Sequence, residues 1–266
     1  MTSLPRLGLV IIIAAASAGC LRSTTTIDLK ADGSGTILQE TAVSTQALGM
    51  LQGMAGANAQ SGDKPPQLFG EEQARKAATT MGVTFVSGEP IKTGELEGYR
   101  ARYSFTDISK VSVKMDQGAD NLTASAGGDA RKPPFAFGFD RTPAASTLTI
   151  QMPEQTPGSA GGMPLPGAAT SDADKAQAAQ ALAMMKMMMR GLYVDVALNV
   201  DGRVIKTNAP YVEGSRVTLM QIDFDKLLGD DAAMQKLLTI KDVKGLAAIP
   251  GLKIVSDPKI TVEFGR

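Results

Sequence analysis

The sequence predicts an α+β domain: an antiparallel β-sheet built from hairpins and packed against a few helices. Three observations carry this. Short runs alternate apolar and polar residues at period two, as strands buried on one face do. Asp32-Gly33 and Asp201-Gly202 separate such runs, and that dipeptide supplies the positive φ of a tight hairpin turn. Two segments, 71–81 and 171–190, repeat apolar residues at helical spacing instead.

The chain opens on a segment outside the fold. Arg6 precedes an apolar run from Leu7 to Ala16, and Ser17-Ala18-Gly19 leads into Cys20. A positive start, an apolar centre and a small-residue end describe a secretory signal, expected over 1–19. The run is shorter than the roughly 20 residues a transmembrane helix needs. Ala18-Gly19-Cys20 resembles the bacterial lipobox, whose Cys receives diacylglycerol before cleavage. Ser17 stands where that pattern usually has Leu. Ala16-Ser17-Ala18 also fits an ordinary cleavage site, which would release a soluble secreted protein. Lipidation of Cys20, with palmitate-like chains, is the expectation, and 20–266 then form a lipid-anchored domain. Each acyl CH₂ buried in a bilayer contributes about 0.8 kcal/mol, so two or three chains hold firmly where one is marginal. Leu21 follows the Cys in place of Asp; by the sorting rule of Gram-negative lipoproteins this implies the outer membrane, facing the periplasm.

The remaining elements follow in order. Residues 23–30 read as a strand with Thr25, Ile27 and Leu29 on one face, and 36–43 as its hairpin partner. Residues 53–66 read as a loop rich in Gly, Ala and Pro. Residues 71–81 form a helix with the stripe Ala74, Ala77, Ala78 and Met81, and 83–86 a brief strand. In 99–105, Tyr99, Ala101, Tyr103 and Phe105 face one way and Arg100, Arg102 and Ser104 the other. Residues 116–134 are a polar excursion and 147–152 a strand. Residues 153–170 are so rich in Pro, Gly and Ala that a mobile loop is expected. Ser171 caps the helix to Arg190, and Gly191 ends it. Residues 192–200 are the clearest strand, with Asp201-Gly202 turning it into a hairpin with 203–207. A strand at 217–224, a helix at 225–238 and a closing strand at 259–264 complete the chain.

Composition narrows function. The 266 residues balance 27 Lys and Arg against 27 Asp and Glu, with no basic surplus to mark a nucleic-acid partner. There is no His, so the usual Ser-His and Cys-His catalytic units and imidazole metal sites are excluded. One Cys allows no intramolecular disulfide. The carboxylate pairs Asp172/Asp174, Asp223/Asp225 and Asp230/Asp231 fit helix starts and turns better than catalysis. No cofactor and no metal are expected.

The remaining candidate is the run Met184-Met185-Lys186-Met187-Met188-Met189. Leu182, Met184, Met185, Met187, Met188 and Met189 cover more than half the circumference of a helix, wider than an ordinary amphipathic stripe, with Leu182, Met184, Met185, Met188 and Met189 the candidate pocket residues. Two readings stand open: a helix buried in the core, or an adaptable apolar pocket for a lipid-like ligand.

Three stretches stand out: Thr26-Ile27-Asp28-Leu29-Lys30-Ala31-Asp32-Gly33-Ser34-Gly35-Thr36; Thr79-Thr80-Met81-Gly82-Val83 with Gly98-Tyr99-Arg100-Ala101-Arg102-Tyr103-Ser104-Phe105; and Gly191-Leu192-Tyr193-Val194-Asp195-Val196 with 202–210 and Val217-Thr218-Leu219. Together they resemble the LppM-type lipoprotein domain of bacteria. The resemblance implies a cell-envelope lipoprotein with a lipid-binding module and carries over no catalytic residue. The expected function is therefore a non-enzymatic, membrane-anchored protein that binds a lipid-like or apolar ligand. The alternative is an assembly factor that holds another envelope protein.

Overall fold

The computed structural model describes residues 21–49, 69–113, 135–152, 186, 190–230, 232–233, 245 and 249–265. The strands are β1 (Leu21–Leu29), β2 (Gly35–Ser44), β3 (Thr84–Lys92), β4 (Leu96–Phe105), β5 (Ala136–Arg141), β6 (Ser146–Gln151), β7 (Tyr193–Val200), β8 (Arg203–Thr207), β9 (Val212–Glu213), β10 (Arg216–Asp223), β11 (Leu252–Ile254) and β12 (Lys259–Gly265). Among the described residues the helices include α1 (Glu71–Met81) and α2 (Phe224–Leu228), residues 45–49 are also helical, and a 3-10 turn lies at Ile108–Lys110. Antiparallel sheet dominates, and helix contributes less among the described residues than an evenly mixed α+β fold would.

There are two sheets. The larger runs β11-β10-β7-β1-β2-β4-β3, with β9 also paired to β10; the smaller runs β5-β6-β12-β8. The β1–β2, β3–β4 and β5–β6 pairs are hairpins. At the first, Asp32 Oδ1 accepts from the Ser34 amide and hydroxyl, at 3.0 and 2.7 Å. Those bonds hold the Asp32 carboxyl below its usual pKa.

The hairpin expected at Asp201-Gly202 does not form. Both edges of β7 are already occupied, by β1 in parallel and by β10 in antiparallel register. The Asp201 amide donates to Leu29 O at 2.8 Å, and the chain turns at Gly202, φ 99°, out of the larger sheet. β8 then pairs with β12 in the smaller sheet. The dipeptide specifies a sharp turn but not the partner of the strand that follows.

Paired residues share a face of a sheet. Ile37, Ile27, Leu198 and Val217 therefore align across β2, β1, β7 and β10, and Tyr103 of β4 extends the row. All five are at most 1% exposed. Burial of each is worth about 1.5–3 kcal/mol. Phe137, Leu148, Ile150, Ile260, Val262 and Phe264 of the smaller sheet join the same core.

Helix α1 contributes Ala74, Ala78 and Met81 to this core, with Ala77 packed at its edge, as the stripe predicts. Glu71 and Arg75 bond at 2.6 Å one turn apart, and the Arg75 guanidinium lies 4.5 Å over the Phe85 ring. Strand β3 runs beyond the expected 83–86 because its register slips between Phe85 and Ser87 and pairing then resumes. Pro90 is tolerated there because β3 is an outermost strand. The expected strand 217–224 ends one residue sooner, where Phe224 opens α2. Of the expected helix 171–190, Lys186 is helical and Arg190 lies in a turn, and of 225–238 the residues 225–228 and 232–233 are helical. The loops expected at 53–66, 116–134 and 153–170 lie outside the described residues.

Candidate functional site

One end of the larger sheet gathers charged side chains around a cleft. β1 starts there at Leu21, beside the end of β2 and the starts of β4 and β7. The end of β10 and the start of β11 complete this end. The cleft has a volume of about 410 Å³ and is lined by Arg22, Tyr193, Asp223 and Asp225, by Gly191 and Leu192, by Glu95 from the β3–β4 turn and by Leu96 at the start of β4.

Strand register places Arg22 and Tyr193, and the turns and α2 at the strand ends bring in the rest. Arg22 and Tyr193 are direct partners across β1 and β7, so they share the outer face of the sheet. The Arg22 guanidinium lies 5.1 Å from the Tyr193 ring centroid, a cation–π distance. The Tyr193 hydroxyl accepts from Gln221 Nε2 at 2.9 Å, which fixes the ring. The Gly191 amide donates to Asp225 Oδ1 at 2.8 Å, and the Phe224 amide donates to Leu192 O at 3.1 Å. These two bonds tie the entrance of β7 to α2. Asp223 caps α2: its Oδ1 accepts from the Lys226 amide at 3.2 Å, and its Oδ2 pairs with Lys226 Nζ at 3.0 Å. That bond to Asp223 raises the Lys226 pKa. In the β3–β4 turn, Thr93 Oγ1 accepts from the Leu96 amide at 3.0 Å.

Three carboxylates and one guanidinium thus share the cleft. Among the described residues Asp223 alone of these four forms an ion pair. Arg22 stacks on an aromatic ring, Asp225 accepts a backbone N–H, and Glu95 projects from an exposed turn.

The outer face beyond the cleft is polar. Asp195 of β7 is 4% exposed, and its Oδ2 accepts from Arg216 on β10. Asp195 Oδ1 is buried with no hydrogen-bond partner among the described residues. Burial pushes the Asp195 carboxyl above its usual pKa, and Arg216 opposes this only in part. Nearby, Asn199 Nδ2 donates to Asp28 Oδ1 at 2.8 Å, and Lys253 pairs with Glu213 at 3.0 Å. Arg100 bonds both Glu40 and Glu89. The inner face changes character along its length. Toward the cleft it carries Ser23, Thr25, Gln39 and Thr41, all buried, where the other end carries Ile27, Leu29 and Ile37.

The residues singled out by sequence fall as follows. Cys20, Leu182, Met184, Met185, Met188 and Met189 lie outside the described residues, as do Asp172, Asp174 and Asp231. Asp223 and Asp225 take the helix-start roles expected of them. Asp230 accepts from the Ala232 and Ala233 amides, at 2.9 and 3.0 Å, as a cap does. Arg22, Tyr193 and Glu95 were not legible as a group, because only strand pairing and the turns at the strand ends bring them together. A usable signal was Asp195, an acid set within the most regular apolar alternation of the chain.

No family model matches the chain, and no curated protein matches it. Among solved structures it is similar to the NMR structure of the folded domain of the Mycobacterium tuberculosis LppM protein. The two are 12% identical with a TM-score of 0.37, over 93% of this chain and 90% of that one. The link is a weak one at the level of the fold.

Proposed function

We propose that the chain is a lipid-anchored, non-enzymatic protein of the bacterial cell envelope that binds a lipid-like or apolar ligand. The observation that carries this reading is the start of β1 at Leu21. The fold begins one residue after Cys20, with no linker, so acyl chains on Cys20 would hold the cleft end of the sheet against the bilayer. Among the described residues no helix is long and apolar enough to cross a membrane. The balanced charge, the lack of His and the lipobox-like Ala18-Gly19-Cys20 agree with that address. In a Gram-negative cell the address is the periplasmic face of the outer membrane. In this reading the helices cover the sheet, and the Met184–Met189 face supplies the apolar surface for the ligand.

Native mass spectrometry of the protein extracted from membranes tests the ligand. A bound lipid that survives desolvation supports the reading. A bare protein that also takes up no added phospholipid contradicts it.

The second reading, an assembly factor for another envelope protein, is favoured by β3, the outermost strand of the larger sheet among the described residues, where Val86 is 53% exposed. One dominant protein adduct after crosslinking in cells would select it.

A further inference from the structure

From the cleft beside Arg22 we infer a binding site for a zwitterionic phosphoethanolamine headgroup at the membrane surface. The inference rests on the proposed anchor for its location, and on the cleft's own charges for its chemistry.

A surface that satisfies itself would pair Arg22 with one of the three carboxylates around it. Here the guanidinium is held instead on the Tyr193 ring, which is fixed by Gln221. Asp225 is oriented by the Gly191 amide, and Glu95 projects from the β3–β4 turn, neither with a cation partner among the described residues. Opposite charges are thus kept apart within one cleft of about 410 Å³, a volume suited to a small ligand. The complementary molecule carries an anionic oxyacid and an ammonium a few bonds apart. A guanidinium recognises phosphate oxygens through paired N–H donors, and carboxylates recognise a primary ammonium, which donates three hydrogen bonds. Arg22 lies two residues from Cys20, so an anchored chain holds the cleft at headgroup depth. With Asp223 paired to Lys226, an anionic headgroup with no ammonium would still meet the carboxylates of Glu95 and Asp225 against the one guanidinium of Arg22, and electrostatics disfavours it.

The test uses the full chain carrying Cys20→Ala, so that no covalent lipid obscures binding. Titration calorimetry compares glycerophosphoethanolamine with glycerophosphate, which lacks the ammonium, and with ethanolamine, which lacks the phosphate. The zwitterion is expected to bind saturably, about tenfold tighter than either fragment, as the loss of one charge-assisted contact implies. Arg22→Gln should erase its advantage over ethanolamine. Glu95→Gln combined with Asp225→Asn should erase its advantage over glycerophosphate. Asn at position 225 still accepts from the Gly191 amide, so the local fold is kept. Equal binding of all three probes, or indifference to these substitutions, overturns the inference. In a flotation assay, vesicles of phosphatidylethanolamine mixed into phosphatidylcholine should retain more of this chain than phosphatidylcholine alone. Binding of the free zwitterion without that preference overturns the membrane source. None of these readings depends on lipidation, so failure here is distinguishable from failure of the anchor.

Discussion

Arg216 on β10 donates to the Oδ2 of Asp195 on β7, and this carboxylate is buried on the outer face of the larger sheet. The pair is unequal: Arg216 is about one-third exposed, while Asp195 retains 5% of its side-chain surface. Desolvation therefore outweighs attraction, and the Asp195 pKa is raised.

The sign of the resulting pH dependence follows from linkage. A carboxyl raised in the folded state binds its proton more readily there than in the unfolded chain. Folding is then favoured as pH falls from the raised value toward the ordinary 3.8. Asp195→Asn removes this titration. Wild type should gain stability relative to Asp195→Asn as pH drops from neutral toward 4, in urea unfolding followed by circular dichroism. Arg216→Met, which leaves the carboxylate without its cation, should cost about 1–3 kcal/mol at neutral pH.

The parallel β1–β7 pair joins two halves of the chain that no turn connects. Ile27 and Leu198 face each other across it, both fully buried. Leu198→Ala should cost about 2–5 kcal/mol and Ile27→Val about 0.5–1.5 kcal/mol in urea unfolding. The double variant should deviate from additivity by at least about 0.5 kcal/mol, because the two side chains are neighbours. Ile205→Ala, at a site 49% exposed, should change stability by less than about 0.5 kcal/mol.

Tyr103 is 1% exposed, and burial pushes its pKa up to about 12. Its hydroxyl donates to Gln39 Oε1 at 3.4 Å. An acid raised in the folded state holds its proton where the unfolded chain has lost it, so stability falls as pH rises from 10 to about 12. Ultraviolet titration of tyrosinate should show one of the four tyrosines ionising only near pH 12 or on unfolding. Tyr103→Phe should flatten the alkaline loss of stability.

What was legible in the sequence was local. The faces of β1 and β4 follow from alternation at Thr25, Ile27 and Leu29 and at Tyr99, Ala101, Tyr103 and Phe105. The α1 stripe follows from helical spacing. What was hidden depends on partners distant along the chain. Asp201-Gly202 reads as a hairpin because a dipeptide encodes turn geometry, whereas the pairing of β7 is set by β1 and β10. The cleft was hidden for the same reason: Arg22, Glu95, Tyr193 and Asp225 have no sequence spacing in common, and strand register with the turns and α2 at the strand ends brings them to one end of the sheet. The Met-rich pocket residues lie outside the described residues, so the cleft does not replace them.

Anchoring of the fold through Cys20 is checked by the intact mass of the protein extracted from bacterial membranes. The mature chain should begin at Cys20 and carry the added mass of a diacylglycerol thioether and its fatty acyl chains. An unmodified chain that begins at Gly19, as cleavage after Ala16-Ser17-Ala18 would leave it, would rule the anchor out.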